Sequence, residues 1–183
     1  GRHSGSNKDY EAYGTDLTKG LPLVILINGR SASAAEVVAV SLQDHARGIV
    51  IGSTSFGKGT IQTVARLPND GEISITWSRF RAPSGYFPHG LGIPPSICVA
   101  GSKSSSATNY IQKTLKQAKQ IKKTRLAWYT ATINQKLERG RLKAICPAIY
   151  KRNPVDIKIA EKLLLNATLY QQVRALRPSI LSR

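Results

Sequence analysis

Two short segments of this 183-residue chain carry residue types that together can perform acyl transfer. Gly29-Arg-Ser-Ala-Ser-Ala-Ala-Glu36 offers Ser33 as a nucleophile, and Phe56-Gly-Lys-Gly-Thr-Ile-Gln62 offers Lys58 as its base. A serine hydroxyl is a poor nucleophile at neutral pH until a neighbouring base takes its proton. An amine serves only where desolvation or a nearby positive field lowers its pKa from about 10.4 toward neutrality. Gly57 and Gly59, which allow close backbone approach, and the apolar Phe56 beside it are expected to give Lys58 such surroundings. Ser33, at the start of a helix, would sit where unpaired N–H groups and the helix dipole favour a developing oxyanion. The plainer readings are a helix cap for Ser-x-x-Glu and a turn for Gly-Lys-Gly.

The elements that must position these residues are legible around them. Leu21 to Ile27 is continuously apolar apart from Pro22 and reads as a strand buried on both faces, as in a parallel sheet. Ala34 to Gln43 reads as a packed helix, with Ser33 as N-cap and Glu36 three residues on as the other half of a capping box. Gly48 to Gly52 is a second apolar strand. Strand, helix and strand in this order make a parallel crossover, whose loops leave the carboxyl ends of both strands at one edge of the sheet. Ser33 and Lys58 both lie in those loops.

Other chemistries fit less well. Gly52 to Gly59 has the Gly-x-x-x-x-Gly-Lys frame of a phosphate-binding loop, yet Gly59 stands where a hydroxyl must ligate magnesium, and Thr60 to Leu67 reads as a hairpin strand. Of the three histidines, His3 is near the start, His45 is at the far end of the helix from Ser33, and only His89 could complete a Ser–His triad. Three scattered His and two distant Cys give no metal-ligand spacing, and no cofactor is implied.

Several motifs, in order, make the stretch from about Leu21 to Ile97 resemble the catalytic core of the carboxy-terminal processing peptidases, or tail-specific proteases. They are Asn28 to Glu36, Leu42-Gln-Asp-His-Ala-Arg47, Phe56 to Gln62, Pro83-Ser-Gly85 and Gly90-Leu-Gly-Ile-Pro-Pro95. The resemblance implies a serine endopeptidase with a Ser–Lys dyad. Ser33 would be the nucleophile, Lys58 the base, Gln62 a residue that positions the lysine, and the backbone N–H of Ala34 one oxyanion donor. It implies an α/β, ClpP/crotonase-like core fragment, in which a strand-helix-strand crossover and a β hairpin are followed by a helical C-terminal extension. It also implies protein or peptide substrates and a periplasmic or cell-envelope location. The sequence departs from the commoner family text at Arg30, Ala35 and Ser96, where glycine, a small polar residue and aspartate are frequent. In the family a peptide-binding PDZ module, the first half of the core and a glycine-rich second oxyanion donor come earlier. The 183 residues are therefore expected to be a truncated piece with weak or no activity of its own.

Beyond the site, Ile73, Ile75 and Trp77 alternate with polar residues after the turn at Pro68-Asn-Asp-Gly71, which predicts a half-buried strand. Residues 1–20 read as loop or a remnant of upstream core, 21–100 as the peptidase core, 101–107 as a linker and 108–183 as a basic helical extension. Up to Ala100 there are nine Lys and Arg against seven Asp and Glu, whereas from Gly101 onward there are eighteen against three. Two long helices are expected, Tyr110 to Ala131 and Val155 to Leu176. Such a tail could bind nucleic acid or an anionic membrane surface, which would make the chain a binding module rather than an enzyme, or it could pack back onto the core. No segment reaches the roughly eighteen apolar residues of a membrane span. Because the family generally works outside the cytoplasm, a disulfide between Cys98 and Cys146 is the reading set beside two free thiols.

Overall fold

A computed structural model describes residues 11, 13–101, 106–151 and 153–177. His3, most of the 1–20 loop reading and the centre of the 101–107 linker lie outside the described residues. The chain is mixed α/β. Strand β1 (Leu23–Ile27), helix α1 (Ala34–Asp44) and strand β2 (Gly48–Gly52) are the crossover read from the sequence, and β1 and β2 pair in parallel from Leu23↔Gly48 to Ile27↔Gly52. The short strands β3 (Thr60–Arg66) and β4 (Glu72–Arg79) form the antiparallel hairpin. Strand β5 (Ile97–Cys98), two residues too short to show a periodicity, adds to β2 so that the sheet runs β1-β2-β5.

Two burial expectations need correction. Only the central strand β2 is buried throughout; β1 is an edge strand, and Leu26 is exposed. The hairpin does not bury one face as expected: Ile73, Ile75 and Trp77 are exposed, at 43%, 52% and 55%. The alternation is real, but no described element packs against that face.

Among its described residues the second half of the chain folds into five helices where two long ones were expected: α2 (Ala107–Lys116), α3 (Ala118–Thr130), α4 (Lys136–Ile145), α5 (Val155–Leu164) and α6 (Ala167–Arg174). Gln117 breaks the first run. Asn166 breaks the second by capping α6, its side chain accepting from Leu169 N–H at 2.9 Å. These helices cover both faces of the sheet. Ile49 and Ile51 of β2 pack with Ile111 of α2, Ile159 and Leu163 of α5 and Val173 of α6. On the opposite face Val50 packs with Val40 of α1, Trp128 of α3 and Leu142 of α4. A disulfide joins Cys98 at the end of β5 to Cys146 after α4.

Basic side chains of this half reach carbonyls of the first. Arg174 Nε donates to Ala46 O at 2.7 Å and Arg177 Nη1 to Asp44 O at 3.0 Å. Both carbonyls are at the C-terminal end of α1, where orphan acceptors and the helix dipole favour cations.

The bridge closes a 48-residue separation in the unfolded chain. Replacing both cysteines by serine is expected to lower stability by about 2–4 kcal/mol, measured by urea unfolding of the oxidised and variant chains. A second prediction concerns Asp156, whose Oδ1 is buried without a hydrogen-bond partner among the described residues; burial pushes this carboxyl up to about 6. The folded chain therefore holds a proton that the unfolded chain, with an ordinary value of about 3.9, has released. Stability should fall as pH rises from about 4 to 6 and stay lower above that range. Asp156→Asn is expected to flatten that slope and raise the melting temperature at neutral pH, as thermal unfolding across pH will show.

Candidate active site

Ser33 occupies the turn between β1 and α1 with φ 57° and ψ −121°, a left-handed conformation rare for any residue but glycine. Holding a non-glycine residue there costs about 1–3 kcal/mol and persists only where neighbours enforce it. Here they do. Ser33 O accepts from the N–H groups of Glu36 at 2.8 Å and Val37 at 3.1 Å, and Ser33 N–H donates to Glu36 Oε2 at 2.9 Å. The capping box read from the sequence forms, and the result is an exposed serine at the head of a helix.

Glu36 does more than cap. It has no solvent exposure, and its carboxylate gathers four donors from two loops. Oε2 accepts from Lys58 N–H at 2.8 Å as well as from Ser33 N–H. Oε1 accepts from Gly57 N–H at 2.7 Å and from the Ser55 hydroxyl. The backbone nitrogens of Ser33 and Lys58 are therefore no farther apart than the sum of two hydrogen bonds. Phe56 N–H donating to Ser31 O at 3.0 Å is a further tie between the loops.

The glycines around Lys58 are required by the loop behind them. A Cβ on Gly59 would stand 2.7 Å from His89 N, and one on Gly57, whose φ is +91°, would stand 3.0 Å from Gly92 N. That backing loop is held in turn by Arg139 of α4, whose guanidinium donates to the carbonyls of Ala131, Phe87 and His89. Burial lowers the pKa of Arg139, with the nearby Tyr86 opposing that shift.

The side chains meet the expectations unevenly. The desolvated setting expected for Lys58 is not present: its side chain is exposed, and no described residue bonds to its amine. The physical reason is that Gly57 and Gly59 bury the backbone against the 88–92 loop while the lysine faces outward, past a Phe56 that is itself 54% exposed. Gln62, at a bulge in β3, donates from Nε2 to Thr76 Oγ1 at 2.9 Å and makes no bond to Lys58. Ala34, the first residue of α1, is exposed, and its N–H has no acceptor among the described residues. His89 makes no side-chain hydrogen bond that would link it to Ser33. The frame from Gly52 to Gly59 leads into strand β3, not the helix that a phosphate-binding loop requires.

The model of peptidase family S41 matches residues 1–99. The chain belongs to that family. Residues of this S41 chain are 44% identical over 99 positions to a carboxy-terminal-processing protease of Bartonella bacilliformis, covering 54% of this chain and 23% of that protein. They are 39% identical over 88 positions to a chloroplastic C-terminal processing peptidase of Tetradesmus obliquus, covering 48% and 19%. Among solved structures, a photosystem II D1 C-terminal processing protease is 40% identical, with a TM-score of 0.39 over 42% of this chain and 20% of that one. The chain thus spans less than a quarter of the length of these curated relatives.

Sequence reasoning missed the residues that hold the candidate site together. Glu36 was visible only as a cap. Asp44, buried at the end of α1, accepts from Ser84 N–H at 3.0 Å, Ser84 Oγ at 2.6 Å and the Tyr129 hydroxyl at 2.9 Å. The signal was the co-occurrence of the Leu42–Arg47 and Pro83–Gly85 motifs, which this carboxylate joins. Tyr129 itself is kept protonated by burial, which raises its pKa.

Glu36→Gln would turn an amide NH₂ toward groups that all donate. It is expected to cost about 1–3 kcal/mol of stability and to speed hydrogen exchange at the amides of Ser33, Gly57 and Lys58 together. Exchange confined to one of these loops would contradict the shared anchor.

Proposed function

We propose that this chain carries the nucleophile and base of a serine endopeptidase of the C-terminal processing type, acting by a Ser33–Lys58 dyad on protein substrates near their carboxyl ends. The observation that carries the reading is the Glu36 carboxylate, one oxygen of which receives the backbone N–H of both residues. In this mechanism the Lys58 amine takes the Ser33 proton as Oγ attacks the scissile carbonyl, and later returns it to the leaving amine. Ala34 N–H, unpartnered at the start of α1, donates to the oxyanion. Gln62 Oε1 is available to accept from the lysine and orient it. The ClpP/crotonase-like assignment rests on the parallel crossover with its adjoining hairpin.

Lys58 can act as base only when neutral, a state that desolvation favours, and in this chain its side chain lies exposed, outside such a setting. We therefore assign the chain weak or no activity by itself. The cover for Lys58 and a second oxyanion donor would come from further core of the kind its longer relatives have, and substrate delivery from a PDZ module. The Cys98–Cys146 bridge supports a periplasmic or envelope location, because such bonds persist in oxidising compartments. No observation favours nucleic-acid or membrane binding by the basic half; Arg139, Arg174 and Arg177 instead hold core carbonyls.

The test compares peptidase activity on an unfolded protein for this chain, a chain extended upstream by further core, and the Ser33→Ala and Lys58→Ala variants of the longer one. The extended chain should cut, each variant should lose about 10⁴-fold or more, and the present chain should fall at least about 100-fold below. Cutting that survives Ser33→Ala would overturn the assignment.

A further inference from the structure

Away from the active site, α3 buries a second arginine whose environment is incomplete. Arg125 is only 4% exposed, yet among the described residues its guanidinium donates one hydrogen bond, from Nη2 to Ser96 Oγ at 3.2 Å. No described carboxylate pairs with it. Asp44 is engaged by Ser84 and Tyr129, and the tail's Glu138 faces Arg141. Arg139 shows what a satisfied buried arginine looks like in the same fold, with three carbonyls around it. Its remaining donors are not sealed off but open onto the cavity that Arg125 lines, and the natural complement of its planar fork is a carboxylate.

Arg125 and Ser96 line a cavity of about 290 Å³ between the segment leading into β5 and helices α2 and α3. The walls beside them are apolar: Trp128, Tyr110, Ile121 and the Cys98–Cys146 bridge. The rim is polar and exposed, with Lys113 and Gln117 at the solvent side. One buried cation at the end of an apolar chamber matches a singly charged head on an apolar body. A phosphate dianion would leave one charge uncompensated inside. We propose that this cavity binds a carboxylate carried on an apolar group, the carboxylate on Arg125 and Ser96 and the apolar part against Trp128. A hydrophobic organic acid and the carboxyl terminus of a peptide present the same chemistry.

The experiment is calorimetry and thermal shift on this chain with 3-phenylpropionate, its uncharged amide, inorganic phosphate, and a short apolar peptide with a free or an amidated carboxyl terminus. The free acid, the free-ended peptide or both should bind and raise the melting temperature, whereas the two amides should not. Which of the two binds assigns the source. Arg125→Met should reduce affinity at least about tenfold. Ser96→Asp offers a second variant: it supplies the carboxylate internally, so it should raise the melting temperature without ligand and abolish binding. Equal effects of acid and amide, undiminished binding in either variant, or tighter binding of phosphate would overturn the proposal.

Discussion

The Glu36 carboxylate is the constraint on which the candidate site depends. It is fully buried and receives N–H groups from the loop after β1 and the loop after β2, together with the Ser55 hydroxyl. Hydrogen bonds to a charged acceptor contribute about 1.5–3 kcal/mol each, enough in sum to hold Ser33 in a backbone conformation that an isolated serine avoids. Ser55 extends the connection, because its oxygen also accepts from Ile93 N–H at 2.7 Å. The Ser33 turn, the Lys58 turn and the segment before β5 are therefore parts of one hydrogen-bonded unit around a single side chain.

The basic second half of the chain has a structural role that its charge does not suggest. Its helices complete both apolar layers, and its arginines act mainly as donors to main-chain carbonyls. Arg174 and Arg177 hold the C-terminal end of the helix that presents Ser33 at its other end, while Arg139 holds the loop on which Gly57 and Gly59 rest. Few acidic side chains are needed for this, because the partners are carbonyls. Arg125 stands apart from that pattern, with a hydroxyl where the others have carbonyls.

Local rules read the crossover well. Helix α1 and strand β2 fall at the positions set by the capping pair and the apolar runs, and the hairpin follows its turn residues. Long-range facts were less accessible. The apolar alternation of β4 says that one face is suited to burial but not whether a partner is there, and Ile73, Ile75 and Trp77 remain exposed. The breaks at Gln117 and Asn166 interrupt stripes whose apolar spacing continues across them, so periodicity alone joined the helices. The expected desolvation of Lys58 is not seen because glycines that bury a backbone say nothing about where the intervening side chain points. The second role of Glu36 left no local mark, since the capping box already accounted for its position.

The most direct measurement is the rate at which a fluorophosphonate, a serine-directed electrophile, labels a chain extended upstream by further core, with the adduct mapped by peptide mass. The expected result is one adduct, on Ser33, and a markedly slower reaction in Glu36→Gln even though Ser33 and Lys58 are intact. An adduct on another serine, or a labelling rate indifferent to Glu36, would contradict the central claim that this carboxylate builds the site.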